Sequence, residues 1–316
     1  MNYRSSNHAD IRCALLNLGG TIGEVYTSDG RLMRLNAREL IEVAGLPPFW
    51  PTHDIAQVDS VDLSFGAIFA AARVIGEDAD SAGFILCCGT DMLEEVAYAA
   101  ALLLPRERPV VVTAAVLPAS DPGNDGPANL RRAAMLISCG APGGVHIVMG
   151  DMIYDPFGIA KLEPQGFQPF AAADGPIGRL RAGLLYLSRT PQYDDRYRDL
   201  QPEDCTASVA IITECFGGTM SYVDPDRLDG LVVAGAGAGG LNSRTLAMLR
   251  EHYLPLMPVV LSTRCAFGFV VNPDHPKHAF VQACADGLRV EGYTQLGALQ
   301  ARIRLILEIG LERAQP

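Results

Sequence analysis

Residues 83–104 read GFILCCGTDMLEEVAYAAALLL. A short, continuously apolar run fits a strand covered on both faces. It stops at Gly89, and a helical pattern starts within three residues, leaving Thr90 and Asp91 in the turn between them. A strand that runs almost without a loop into a helix is the unit of a parallel α/β sheet. In open sheets of that kind, ligands bind beyond the carboxyl ends of the strands. A hydroxyl and a carboxylate at such an end are therefore placed where chemistry is expected. Thr90 as a helix cap and Asp91 as a favourable charge at a helix N-terminus are the structural alternatives.

The same alternation extends outward. Strand candidates are 13–19, 83–89, 109–115, 144–150, 208–214, 230–237 and 257–263. Helical stretches include SFGAIFAAARVIGEDA, SRTLAMLREHY and the closing amphipathic GALQARIRLILEIGLERA. A polar, proline-bearing stretch free of apolar periodicity, SRTPQYDDRYRDLQPEDCT, interrupts the pattern and reads as a linker. The expected organisation is an N-terminal α/β domain over 1–190, a linker over 191–206 and a smaller α/β domain over 207–316. Two domains also suit a chain of 316 residues.

Bulk properties narrow the classes. With 49% hydrophobic and 19% charged residues, the chain can bury a large core. A net charge of −11 argues against a general nucleic-acid or anionic-membrane surface. No stretch reaches the roughly 18 to 20 apolar residues of a membrane helix. The first 20 residues lack the pattern of a signal peptide and read as a lead-in to a strand. The eight cysteines form no CxxC pair and mostly lie in apolar runs, which fits reduced, buried thiols and a cytoplasmic setting. His275 and His278 lack the further ligands of a metal site, so no metal or cofactor is expected.

Polar residues gather after the strands. The first is followed by Gly19, Gly20 and Thr21, which alone would be an ordinary tight turn. Further on come Asp59 and Ser60, then Thr90 and Asp91, then Ala115, Asp125 and Asn129. GGTIGE lacks the spacing of either common phosphate loop, which argues against nucleotide binding. Lys161 is one of only two lysines among 25 basic residues. A desolvated lysine can give up its proton, which arginine in a protein does not. A threonine hydroxyl is a poor nucleophile until a base lies within hydrogen-bond reach. Thr90, Lys161 and Asp91 together would form such a relay, activating a hydroxyl or a water.

These segments, in this order, resemble the bacterial-type L-asparaginase family. LGGTIG is similar to its first threonine motif, GTDMLEE to its second, and DSVDL to its DSxxM segment. PVVVTAAVLPASDPGNDGPANL, AKLEPQGFQPF, GLVVAGAGAGGL and VVLSTRCAFG follow further family segments, so the likeness covers most of the chain. The resemblance implies a two-domain asparaginase-like α/β fold and hydrolysis of the side-chain amide of L-asparagine or a related small amide. It makes Thr21 the nucleophile and Tyr26 its partner, and groups Thr90, Asp91 and Lys161 as a second triad. Backbone N–H groups of Thr90 and Ala115 would receive the oxyanion. Ser60 would take the substrate carboxylate and Asp91 its α-amino group, with Gly20, Asp59 and Gly89 beside them. It further implies a homodimer or homotetramer.

Departures from the family pattern fall in the substrate-recognising shell. Val61 stands where a polar residue is usual, Met92 for a threonine, Cys88 for a histidine and Leu117 for an arginine. Sites built on hydrogen bonds discriminate steeply, so these exchanges leave open an N-substituted asparagine, a lactam or a D-amino acid amide. A binding or ammonia-donating subunit of the same fold is the alternative outside enzyme chemistry.

Overall fold

The computed structural model describes residues 2–4, 11–218, 223–270 and 284–315. They form two compact units, one ending at Asp199 and the other starting at Leu200. That boundary falls inside the polar stretch read as a linker. The stretch is not featureless: it makes two 3₁₀ turns, Asp195–Tyr197 and Pro202–Cys205, and buries Tyr197 and Leu200.

The strands of the first unit are β1 (Asn2–Arg4), β2 (Ala14–Gly19), β3 (Glu24–Tyr26), β4 (Leu32–Arg34), β5 (Thr52–Val58), β6 (Phe84–Cys87), β7 (Pro109–Thr113) and β8 (Gly144–Met149). They continue with β9 (Met152–Tyr154), β10 (Ile159–Lys161), β11 (Phe170–Ala172), β12 (Gly178–Arg181) and β13 (Leu184–Leu187). Its helices are α1 (Ala37–Ala44), α2 (Phe65–Glu77), α3 (Leu93–Leu103) and α4 (Gly126–Ser138). Nine strands make one sheet in the order β1-β13-β12-β9-β8-β7-β6-β2-β5. From β8 to β5 all pairings are parallel; from β8 to β1 all are antiparallel. The expected parallel sheet is thus the larger part of a mixed one. Its antiparallel strands are three or four residues long, too short to stand out by periodicity.

Helices cover both faces of the parallel half. Leu15, Ile85 and Val111 point to one side and share a core with Leu40 and Ile41 of α1 and Leu130 of α4. Helices α2 and α3 pack together on the other. Every α3 residue except Glu95 is buried, which accounts for its lack of a polar face. Each large side chain buried this way stabilises the fold by roughly 1.5 to 3 kcal/mol. The chain leaves β2 for β5 on one side and returns to β6 on the other, so the strand order reverses between β2 and β6. In open α/β sheets such a reversal, beyond the carboxyl ends, is where ligands bind.

The second unit is a parallel sheet of β14 (Val209–Thr213), β15 (Gly230–Gly235), β16 (Val259–Thr263) and β17 (Leu288–Arg289), in chain order, with α5 (Ser243–Met248) and α6 (Ala298–Ala314). His275, Lys277 and His278 lie outside the described residues. No helix among the described residues is long and apolar enough to cross a membrane. All eight cysteines are unpaired: Cys13, Cys87, Cys88, Cys139 and Cys205 are buried, whereas Cys215 and Cys265 are exposed. Burial pushes the Cys13 and Cys87 thiols up to about 12, so these are packing groups and not nucleophiles.

Candidate active site

Two glycines set the site. Gly20, at φ +83°, follows β2, and Gly89 follows β6. A Cβ on Gly20 would fall 2.2 Å from the Gly89 nitrogen, so the two turns touch main chain to main chain. Only glycine permits both that conformation and that approach. Thr21 and Thr90 are the next residues along each turn. Ser60 joins them from the turn after β5: it is buried, and a Cβ on Gly89 would lie 2.6 Å from its hydroxyl. Three sequence-distant hydroxyl residues are thereby gathered around one glycine pair.

The β2 turn is braced from below by a residue that motif reading passed over. Asn17, buried within β2, accepts from the Gly19 N–H at 2.9 Å and donates to Asp54 at 2.9 Å. Asp54 also accepts from the Ala37 N–H at the start of α1. An asparagine inside the apolar run ALLNLG was the available signal, since a buried amide must find partners.

Lys161 reaches Thr90 from a distance of 71 residues in sequence. It stands on β10, part of a hairpin with β11. Its backbone N–H donates to Glu94 Oε2 at 2.8 Å, which ties the hairpin to the first turn of α3. Its Nζ lies 3.0 Å from Thr90 Oγ1 and 2.5 Å from Asp91 Oδ1. The lysine side chain is 12% exposed, while Asp91 is 68% exposed and opens to the crevice. Glu94, buried beneath, has its carboxyl pushed up to about 7 by desolvation, with the Lys161 N–H and ammonium opposing.

The loop after β7 supplies a second donor. Asp125 accepts from the Val116 and Leu117 N–H groups, and Asn129 donates to both Asp125 and the Ala114 carbonyl. Ala115, held between them and buried, has no acceptor for its N–H among the described residues; neither has the Thr90 N–H.

The structure does not join Tyr26 to Thr21. Tyr26 sits on β3, 52% exposed, and its hydroxyl has no hydrogen bond among the described residues. The group that reaches Thr21 is Glu24. A single 3₁₀ turn, Thr21–Gly23, closes with the Glu24 N–H donating to the Thr21 carbonyl. The closure holds Glu24, the first residue of β3, one turn away from Thr21. The Glu24 carboxyl is raised by desolvation and by Asp59, with Arg34 and the Thr21 hydroxyl opposing. Asp59 itself pairs with Arg34 at 2.6 Å. Among the described residues no cluster could hold a metal ion.

The family described as Asparaginase, N-terminal, matches residues 12–193. The chain is 30% identical over 274 residues to a probable L-asparaginase of Deinococcus radiodurans, covering 81% of this chain and 80% of that one. It is 28% identical over 241 residues to L-asparaginase 2 of Escherichia coli, covering 72% and 69%. The fold matches the crystal structure of a probable cytoplasmic L-asparaginase from Campylobacter jejuni with a TM-score of 0.81, at 23% identity and over 95% of each chain. A thermostable L-asparaginase from Thermococcus kodakarensis gives 0.80, at 23% identity over 96% of this chain and 95% of that one.

Proposed function

The chain belongs to the asparaginase family, and from that premise we propose that it is an amidohydrolase cleaving the side-chain amide of L-asparagine or a closely related small amide. The observation that carries this reading is the Lys161 amine, set 3.0 Å from the Thr90 hydroxyl and 2.5 Å from Asp91 beside the Gly20–Gly89 contact.

The chemistry is acyl transfer in two halves. Thr21 attacks the amide carbon, the carbonyl oxygen takes up the negative charge, and the C–N bond breaks to release ammonia. The N–H groups of Thr90 and Ala115 receive the oxyanion, each stabilising the transition state by on the order of 3 kcal/mol. In the second half a water attacks the acyl-threonine. With the Lys161 amine in its neutral form, Thr90 and Lys161 take the water's proton in relay, and Asp91 balances the ammonium that results. Ser60 holds the substrate α-carboxylate and the open face of Asp91 its α-amino group. The exposed, apolar Val61 next to Ser60 supports a substrate whose contacts there are less polar than those of asparagine. The free thiols support a cytoplasmic setting.

Ammonia release is to be measured on asparagine, N-substituted asparagines, a lactam and D-amino acid amides, with Thr21→Ala alongside. The variant is expected to lose about 10⁴-fold or more in kcat. A Thr21→Ala protein as active as wild type would remove Thr21 as the nucleophile, and silence on the whole panel would turn the reading toward a binding subunit. Light scattering of the purified chain checks the homo-oligomer: a monomer at micromolar concentration removes it.

A further inference from the structure

Building on the reading of Thr21 as nucleophile, we infer that Glu24 is the proton acceptor and donor for Thr21, in a carboxyl pair with Asp59. The placement is covalent and local: Thr21 opens a single 3₁₀ turn and Glu24 caps it, the Glu24 N–H closing onto the Thr21 carbonyl. The hairpin then fixes the other end. Glu24 on β3 stands opposite Arg34 on β4, and Arg34 bonds Asp59 at 2.6 Å across to the turn after β5. Leu35 donates its N–H to the Gly23 carbonyl, and the Tyr26 N–H donates to Ser120 Oγ, so the strand bearing Glu24 is anchored on both sides.

The step balances without an added reagent. As Thr21 Oγ bonds the amide carbon, its proton passes to a Glu24 carboxylate oxygen and the carbonyl π pair moves onto oxygen. On collapse the C–N bond breaks, and the proton held by Glu24 goes to the departing nitrogen. Ammonia leaves and the carboxylate is restored. The charged and titratable groups acting on Glu24 are Asp59 from the β5 turn and Arg34 from β4, together with the Thr21 hydroxyl. A neighbouring carboxylate holds a carboxyl's proton more tightly, a guanidinium less so. Activity therefore requires Glu24 ionised and falls as pH drops through its titration.

The test is kcat, KM and the pH profile of Glu24→Gln, Glu24→Asp and Asp59→Asn, each first checked by circular dichroism. Glu24→Gln is expected to lower kcat by roughly 10²- to 10⁴-fold, the usual worth of a general base, with KM changed by less than about threefold. Glu24→Asp recovers part of the loss. In Asp59→Asn the acid limb of kcat/KM moves to lower pH, because the like charge is gone; a merely structural Glu24 would leave the limb in place. Folded Glu24→Gln with wild-type kcat and an unmoved acid limb overturns the assignment, as does a comparable loss confined to Tyr26→Phe. If Thr21→Ala is inactive while Glu24→Gln is intact, only the role of Glu24 fails. If Thr21→Ala is active, the nucleophile reading fails with it.

Discussion

After β6 the chain turns through Gly89 straight into Thr90, Asp91 and a helix whose residues are nearly all buried. The amine that meets Thr90 stands on a hairpin tied to that same helix through Glu94. After β2 it turns through Gly19 and Gly20 into one 3₁₀ turn and then into a hairpin whose tip, around Gly30, is exposed. The acid assigned to Thr21 rides on that hairpin, opposite Arg34, which pairs with Asp59 at the surface. The β6 side gathers its groups from distant segments and locks them by burial. The β2 side gathers them from neighbouring residues and leaves them nearer to solvent. A site of this kind has one half that is rigid before substrate arrives and one half able to adjust to it.

The sharpest way to break the contrast is chemical. Lys161→Arg keeps the charge and the partner Asp91 but removes an amine that can release a proton, so kcat is expected to fall roughly 10²- to 10⁴-fold. Near-normal turnover would show that the rigid half contributes charge alone. Next come the turns themselves. Gly20→Ala forces a Cβ against the Gly89 main chain at positive φ. A loss of about 3 kcal/mol is expected from strain and overpacking together, with turnover lost too as Thr21 and Thr90 are pushed apart. Gly30→Ala has the same sign of φ but open space around it, and about 1 kcal/mol is expected there. Thermal melts of the pair measure the difference, and equal losses would erase the distinction between the halves.

The buried carboxyl of Glu94 offers the finest probe. Its ordinary value of 4.5 rises to about 7 in the folded chain, so the native state holds the proton more tightly than the unfolded one. The resulting penalty is absent below about 4.5, grows as pH rises, and is complete above about 7. Glu94→Gln keeps an acceptor for the Lys161 N–H and removes the penalty. Relative to wild type it is expected to gain stability with rising pH, by at most about 3 kcal/mol above neutrality. A difference in melting temperature that does not change with pH would count against this account.

Much of the architecture was legible because the parallel strands are wrapped on both faces and so spell continuous apolar runs. All seven strand candidates fall on strands. β5 did not show itself, since an edge strand half open to solvent, THDIAQV, keeps polar residues throughout. Helices α1 and α4 went unread between Gly- and Pro-rich turns, and β9 to β13 were too short to carry a period. At the site, Thr90, Asp91 and Lys161 were readable as residue types suited to one task, and the coordinates bring their side chains into contact. Gly20, Gly89 and Ser60 converge as the strand-end argument implies. Glu24 was not readable, because its partnership with Thr21 depends on a 3₁₀ turn that no apolar pattern announces; a Thr-x-x-Glu spacing beside Gly-Gly was the only trace. Tyr26 came from the resemblance alone, and in this structure it does not meet Thr21.

The Gly20–Gly89 approach fixes the distance between two reacting turns with peptide atoms, not with side chains. Exchanges at Val61, Met92 or Leu117 can therefore reshape what the crevice accepts without disturbing how far apart its hydroxyls stand. A change of preference at these three positions can then evolve in single steps while the main-chain frame stays put.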